Sequence, residues 1–280
     1  MRTVLITGAS SGIGLASAVA AARAGWTTVA TIRRPGSEVE LLAAAARAGV
    51  TIEVARLDIT DSDSVEQCIQ AVIDRHGRLD AVVNNAGISS SGTLELTSMA
   101  ELRAGMEVNF FGIALVSQVA LPHLRASRGR LVTIGSVRGA VGQPFNEPYS
   151  AAKFAIEGLM EALAPVAADV GVTVSLIEPA AVLDTAFGCN EPDPDLLPPN
   201  AGPYAETYRR YRGWARTGAV EGGQQAAEVA AVVVQVLTDP RPPFRIQTSE
   251  YARSHVTRKL ADPDGEVIQT LARSWLRTDG

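Results

Sequence analysis

Short runs rich in β-branched residues alternate with longer runs of helical character through most of the chain. The pattern predicts strands at 3–6, 27–32, 50–57, 81–84, 130–134 and 172–177, and helices at 12–24, 37–48, 62–76, 100–126 and 149–170. A helix between successive strands makes them parallel, and the nearly continuous apolar character of the strands indicates burial on both faces. We therefore predict an α/β fold: a doubly wound Rossmann domain whose ligand lies beyond the carboxyl ends of the strands.

The last third of the chain departs from this alternation. Prolines interrupt residues 186–223, which we interpret as an insertion beside the substrate. A helix is expected at 225–237, a last strand within 240–248, and a helical extension at 251–275 that packs over the substrate side or a partner subunit. With that strand the sheet has seven strands, mostly parallel, and we predict that residues 1–280 form a single domain.

Composition excludes several classes of protein. A net charge of −5 and a pI near 5.3 argue against nucleic acid as a partner. Cys68 and Cys189 form no spaced pair, and the three histidines lack the spacing of metal ligands, so we predict neither disulfides nor a metal site. No charged leader and no apolar run approaching ~18 residues is visible, which predicts a cytoplasmic protein without a membrane span.

The first predicted strand runs into TGASSGIG, in which Gly8, Gly12 and Gly14 are spaced as G-x-x-x-G-x-G. Glycines at a strand-to-helix turn let the backbone approach a pyrophosphate, and the N–H groups at the helix start face it. The cofactor-binding residues predicted here are Gly8, Ser10, Ser11, Gly12, Ile13 and Gly14. A glycine-rich turn without a ligand is the alternative.

The second predicted strand ends in Arg33 and Arg34, where a fold selective for NAD carries an acid that bonds the ribose hydroxyl. A guanidinium suits a 2′-phosphate instead. We therefore predict NADP(H), with Arg33 the better candidate and Arg34 the alternate. A solvated pair of charges at a loop start is the other interpretation.

The next two strand ends also carry polar or small residues. Asp58 and Ile59 follow the third strand, where the acid can bond the adenine amino group or cap the next helix, although Asp61 is better placed to cap. The fourth strand runs into NNAG at 84–87, and Asn85, Ala86 and Gly87 are predicted to approach the cofactor closely. The same residues also fit an ordinary turn.

Ser136, Tyr149 and Lys153 form the predicted catalytic group. A spacing of four places Tyr149 and Lys153 on one face of a helix, where the ammonium favours the phenolate and so prepares the tyrosine for acid–base catalysis. Every lysine or arginine in the chain is arginine except Lys153 and Lys259, so a lysine within this motif is a specific choice. The alternative is a surface helix with a solvated lysine.

Together TGASSGIG, Asp58, NNAG, Asn109 within EVNFFG, Ser136 and the Tyr149–Lys153 pair resemble the short-chain dehydrogenase/reductase family over about 1–187. Residues 136–163 and the tail are similar to its branch containing 17β-hydroxysteroid dehydrogenase type 1 and photoreceptor retinol dehydrogenase. The resemblance implies that Tyr149 transfers the proton and that Ser136 orients the carbonyl. Lys153 would lower the pKa of Tyr149 and hold the nicotinamide ribose, and Asn109 would hold a water that relays protons.

The family commonly has Pro-Gly after the sixth strand and then a threonine that meets the nicotinamide. Here Ala180 follows Pro179, and Thr185 lies one residue further on than usual. Pro179 and Val182 remain predicted backbone contacts of the cofactor, and Thr185 is carried as a contact that this departure puts in question.

Two features surround the predicted substrate position. Tyr204, Tyr208, Tyr211 and Trp214 share a helical face, which we interpret either as a lid over an apolar substrate or as a helix docked by ordinary packing. Arg138, where the branch commonly has a small residue, either recruits an acidic group of the substrate or points to solvent.

The resemblance, together with the arginines that favour NADP(H), predicts an oxidoreductase that transfers a hydride between the nicotinamide of NADP(H) and a ketone or secondary alcohol, or a retinal-type aldehyde. A bulky apolar substrate such as a steroid, retinoid or polyketide-like molecule is expected, and a homodimer or homotetramer on analogy. The alternatives are a dinucleotide-binding sensor without catalysis and an epimerase or dehydratase on the same scaffold.

Overall fold

The computed structural model describes residues 1–185, 187, 202–263 and 266–274. The strands are β1 (Thr3–Ile6), β2 (Thr27–Ile32), β3 (Glu53–Arg56), β4 (Ala81–Asn84), β5 (Arg130–Ile134), β6 (Thr173–Glu178) and β7 (Arg245–Gln247). The helices are α1 (Gly12–Arg23), α2 (Val39–Ala48), α3 (Ser62–His76), α4 (Met99–Met106), α5 (Ile113–Ser127), α6 (Glu147–Asp169), α7 (Ala205–Glu221), α8 (Ala226–Thr238), α9 (Glu250–Leu260) and α10 (Glu266–Ser274).

The seven strands form one sheet in the order β3-β2-β1-β4-β5-β6-β7, and every pairing is parallel. The order reverses between β1 and β4, where the crossovers on either side diverge and leave a crevice at the carboxyl edge. The predicted doubly wound Rossmann architecture is confirmed.

Each face of the sheet has its own apolar core because successive strand residues point to opposite faces. On one face, Leu131 of β5 packs with buried side chains from α3, α5 and α6, including Val116 and Ile156. On the other face, Val132 packs with side chains from α1, α2 and α8, including Val233. The two cores fix the carboxyl ends of the strands, and thereby the loops that form the site.

Three predicted boundaries need correction. The third strand is shorter than 50–57, because β3 pairs with β2 only from Glu53 to Arg56. The helix predicted at 100–126 is divided by a π-helical turn at Glu107–Gly112. The helical segment predicted from 251 breaks after α9, where Asp262 and Pro263 lie outside any helix and proline cannot donate a backbone hydrogen bond.

The predicted absence of a membrane span stays a prediction, although one helix among the described residues meets the length and composition of a span. Met99–Ser127 is 29 residues of helix, counting the π-helical turn, and 18 consecutive residues within it have a mean hydropathy of 1.4. Counting unbroken apolar runs missed it because polar residues are interspersed. One side of this stretch faces the sheet, where Ile113, Val116 and Leu124 are buried in the first core, and this packing accounts for part of its apolar character.

Candidate active site

The loop between β1 and α1 has the shape that a pyrophosphate needs. Gly8 and Gly12 adopt positive φ angles of 67° and 56°, and a Cβ at Gly8 would lie 2.8 Å from the Ala86 Cα. A Cβ at Gly14 would lie 2.4 Å from the Asn85 side chain. The first turn of α1 contains no acidic side chain, and Ser11 at its N-cap makes no side-chain capping bond. These residues fit an anionic cofactor at the start of α1.

Thr7 and Asn85 hold this loop against the end of β4. The Thr7 hydroxyl accepts hydrogen bonds from the backbone N–H groups of Asn85 at 2.9 Å and Ala86 at 3.0 Å. The Asn85 amide donates in return to the carbonyl oxygens of Thr7 and Gly8. Asn85 and Ala86, which we predict to approach the cofactor, therefore lie directly against the glycine loop. Asn84, in contrast, is buried, and its side-chain amide donates to the Ser117 hydroxyl.

Arg33 and Arg34 are exposed at the carboxyl end of β2, beside the glycine loop. The Ala9 N–H donates to the Thr31 oxygen at 2.8 Å, which ties the loop to this strand end. Arg33 faces Asp58 at the end of β3, and its positive charge acts on the Asp58 carboxylate. Burial raises the pKa of Asp58, but hydrogen bonds from Thr60 and the charges of Arg33 and Arg56 outweigh burial, so the pKa is lowered overall. Asp61, rather than Asp58, caps α3.

The side chains of Asn109 and Ile59 support the π-helical turn from inside. Asn109 is fully buried, and its amide donates to the Ile88 oxygen and accepts from the Ile88 N–H, both at 3.0 Å. A Cβ at Gly87 would lie 2.9 Å from the Asn109 oxygen, and one at Gly112 would lie 2.8 Å from Ile59. Asn109 thus positions the β4 loop, and the water predicted beside it stays a prediction.

Ser136, Tyr149 and Lys153 meet at the carboxyl end of β5. Ser136 follows that strand and begins a short 3₁₀ turn, while Tyr149 and Lys153 lie one turn apart near the start of α6. The Lys153 Nζ is buried, donates to the Ile134 oxygen at 2.9 Å and lies 5.6 Å from the centre of the Tyr149 ring. The structure therefore brings the three predicted catalytic residues together.

Burial sets the protonation of this group. Burial raises the pKa of Tyr149 to about 12, although Ser136 and the positive charge of Arg138 oppose the rise. Burial also lowers the pKa of Lys153 to about 8. The phenol therefore carries its proton at neutral pH, which suits a general acid. The positive charge of Arg138 favours the phenolate, a contribution that the sequence interpretation assigned to Lys153.

The segment after β6 closes the cofactor side of the site. The Pro179 oxygen accepts from the Val137 N–H, next to Ser136, at 3.1 Å. Val182 forms a β-bridge with Gln224. A Cβ at Gly12 would lie 3.0 Å from the Thr185 methyl, so Thr185 covers the glycine loop, and its hydroxyl donates to the Val182 oxygen at 3.2 Å. Thr185 reaches the cofactor region despite its shifted position.

The aromatic residues that α7 carries on one face pack beside the catalytic group. Tyr208 and Tyr211 are buried against Phe145, with ring centres 5.1 and 5.3 Å from it. Tyr211 also accepts a bond from the Gln143 amide at 2.7 Å. This aromatic face is thus docked on the loop that joins Ser136 to Tyr149, and whether it moves as a lid stays a hypothesis. Residues 186 and 188–201 of the predicted insertion lie outside the described residues.

Arg138 does not point to solvent, which corrects one of the two interpretations of this residue. Its side chain is half-buried in the site and bonds to the Tyr251 side chain. Burial lowers the pKa of Arg138, and the neighbouring Tyr251, Tyr211 and Tyr149 oppose that effect.

Three residues beside the site escaped the sequence analysis. The Phe187 ring lies 5.7 Å from the Tyr149 ring and close to Gly87, and Thr7 organises the glycine loop. Tyr251 reaches the site from α9, more than a hundred residues after Tyr149. Thr7 had a signal, since it opens TGASSGIG, whereas Phe187 and Tyr251 are brought in by tertiary packing.

A glycine loop at a parallel-sheet crevice, next to a tyrosine–lysine–serine group, defines a dinucleotide-dependent oxidoreductase site. The model of the short chain dehydrogenase family matches residues 2–193. The chain belongs to this family, and it is an oxidoreductase that acts on alcohols or ketones with a nicotinamide cofactor.

Similar proteins and solved structures belong to the same family. Retinol dehydrogenase 8 of Bos taurus is 37% identical over 274 residues, which cover 95% of this chain and 87% of that protein. The 17-beta-hydroxysteroid dehydrogenase type 1 of Homo sapiens is 35% identical over 277 residues, covering 95% and 83%. The crystal structure of a short-chain dehydrogenase from Streptomyces avermitilis superimposes with a TM-score of 0.79 at 32% identity, covering 100% of this chain and 98% of that one. The predicted resemblance is confirmed.

Proposed function

We propose that the protein is an NADP(H)-dependent reductase of ketones, or of retinal-type aldehydes, on bulky apolar molecules. The observation that carries the proposal is the protonated Tyr149 phenol beside Ser136 and Lys153, at the strand ends next to the glycine loop. The alternative of a sensor without catalysis requires no such group, yet the group is complete here. The relatives named for retinol and for a hydroxysteroid support an apolar substrate.

The chain's residues have distinct tasks in this reaction. The bound reduced nicotinamide supplies the hydride for the carbonyl carbon. Ser136 holds the substrate oxygen, and Tyr149 donates its proton to that oxygen as negative charge develops. Lys153, whose ammonium donates to the Ile134 carbonyl oxygen, would keep a positive charge beside the phenol and hold the ribose of the cofactor. The aromatic residues of α7 and the Phe187 ring would cover one side of the substrate.

Replacing Tyr149 with Phe tests the catalytic assignment. Oxidation of NADPH should be followed by absorbance with steroid, retinal, polyketide-like and acidic carbonyl compounds. Because the phenol is the proton donor, Tyr149→Phe should lower kcat by ~10²- to 10⁴-fold while leaving NADPH binding intact. Undiminished turnover by the variant would refute the assignment.

The same assay separates the alternative functions. Tight NADPH binding without turnover across the panel would favour the sensor. An enzyme that converts substrate without net consumption of NADPH would be an epimerase or dehydratase.

We further propose that Arg33 selects NADP(H). It stands at the end of β2, facing Asp58 across the position where the adenosine ribose lies in this fold. A charge-assisted bond contributes about 1.5–3 kcal/mol, so Arg33→Met should raise the KM for NADPH on the order of 10- to 100-fold and barely affect NADH. Arg34→Met tests the alternate residue, and a larger rise in its KM for NADPH would move the assignment to Arg34. Equal or better kcat/KM with NADH in the parent enzyme would contradict the proposal.

The proposed homodimer or homotetramer uses the outer faces of α5, α6 and the turn before them. Phe111 is 53% exposed and Val166 is 66% exposed, and Phe154 and Val170 extend this apolar surface. Such exposure favours burial against a second copy. Light scattering after size exclusion would give the mass, and Phe154→Asp should reduce it to that of a monomer if the surface pairs. A cytoplasmic location likewise stays a prediction.

A further inference from the structure

Arg138 starts from a rigid position next to the reacting oxygen. Its backbone N–H donates to the Ser136 hydroxyl at 3.1 Å, so the two residues share one turn. The following residue, Gly139, is pressed against α6, because a Cβ there would lie 2.9 Å from the Lys153 carbonyl oxygen. The turn cannot shift without disturbing α6, so the backbone from which the Arg138 side chain extends is fixed.

The groups that face Arg138 are mainly aromatic and come from three different helices. Tyr149 of α6, Tyr211 of α7 and Tyr251 of α9 lie within reach of its charge, and Tyr251 bonds to it. His255 lies one turn beyond Tyr251, with ring centres 4.1 Å apart, and burial followed by the charges of Arg138 and Arg258 lowers its pKa. The Arg138 guanidinium thus lies among aromatic side chains, next to Tyr149, the proposed proton donor.

A guanidinium in such a position is suited to bind an anionic group of the substrate. Its planar fork binds a carboxylate or a phosphate through two parallel hydrogen bonds, and an ion pair strengthens when water is excluded. A neutral ketone cannot form this pair of charge-assisted bonds. We propose that Arg138 binds an oxyanion of the substrate, so that the preferred substrates are apolar carbonyl compounds that also carry a carboxylate or phosphate. This inference rests on the proposed reductase function and narrows its substrate class.

The test compares probes that share a carbonyl and differ in charge. Benzoylpropionic acid and its methyl ester form one pair, and phenacyl phosphate tests the other oxyanion. Binding to the complex of the enzyme with NADP⁺ is measured by calorimetry, and reduction is measured with NADPH. We expect the acid to bind ~10- to 100-fold more tightly than the ester, and Arg138→Met to remove this preference while ester binding changes less than about threefold. A preference for phenacyl phosphate over benzoylpropionate would assign the site to phosphate.

Three controls make the result specific. Arg138→Lys keeps the charge and should retain part of the preference, whereas Arg209→Met removes an exposed arginine on α7 and should retain all of it. Thermal unfolding shows whether each variant is folded. Equal binding of acid and ester by the parent enzyme, or a preference that survives in Arg138→Met, would overturn the proposal. Selective binding without any turnover would leave this inference standing and count against the reductase function alone.

Discussion

Lys153 gives the site a stability signature that can be measured without a substrate. The ammonium is buried, and its one hydrogen bond given by the structure goes to the Ile134 carbonyl oxygen. Burial lowers its pKa from 10.5 to about 8. The unfolded chain therefore binds a proton between about pH 8 and 10.5 that the folded protein has released, and stability rises with pH in that window.

The size of this effect follows from the two pKa values. One pKa unit corresponds to about 1.4 kcal/mol, so holding the ammonium inside the protein below pH 8 costs on the order of 3 kcal/mol relative to the unfolded chain. The cost disappears as the pH approaches 10.5. Lys153→Met has a side chain of similar length and no such proton. The stability of the parent protein relative to this variant should therefore rise by about 3 kcal/mol between pH 8 and 10.5.

Denaturant unfolding of both proteins, without cofactor, at a series of pH values would give this difference directly. Other titrating groups are shared by the two proteins and cancel. Lys259→Met removes the chain's other lysine and controls for the loss of one positive charge. A stability difference between the parent and Lys153→Met that stays constant within about 1 kcal/mol across the window would refute the burial argument.

Three further predictions concern other parts of the site. Burial, together with the charge of Glu157, raises the pKa of Glu178 to about 7, so the folded protein binds the extra proton and loses stability as pH rises from about 4.5 to 7. Glu178→Gln should lack that loss, and identical pH curves by denaturant unfolding would contradict it. Gly14→Ala forces a Cβ into the Asn85 amide and should lower the unfolding midpoint and abolish NADPH binding by calorimetry, whereas Gly142→Ala, which meets open space, should change neither. NADPH and substrate together should slow hydrogen exchange in α7, and unchanged exchange would count against a lid.

Most of the fold could be predicted because hydrophobic period and element order determine it. β1, β4 and β5 match the expected bounds, since each is a short apolar run buried on both faces. The π-helical turn at Glu107–Gly112 could not be predicted, because six residues within a long helix are too few to show a hydrophobic period of their own. Its position follows from tertiary packing, in which Asn109 is drawn to the Ile88 backbone and Gly112 to Ile59.

The site was predictable where one local motif carries each part. The glycine loop and the Tyr149–Lys153 pair are encoded within a few residues, and the parallel sheet brings their strand ends together. Electrostatics were not predictable in this way. A spacing of four places Lys153 beside Tyr149 but does not reveal that burial dominates the pKa of Tyr149, nor that Arg138 turns inward to α9. Those outcomes depend on which distant helix covers the cleft.

The structure places two cations, Lys153 and Arg138, where burial disfavours the charge of each. An apolar side chain of similar volume is often as stable or more stable in such a position. Both cations fit the proposed reaction, in which anionic or strongly polar groups enter the site. The carbonyl oxygen, which becomes negative as it is reduced, would meet the phenol, and an oxyanion on the substrate would meet Arg138. The cost of burying the two cations and the stabilisation of the reacting state would then have the same electrostatic origin.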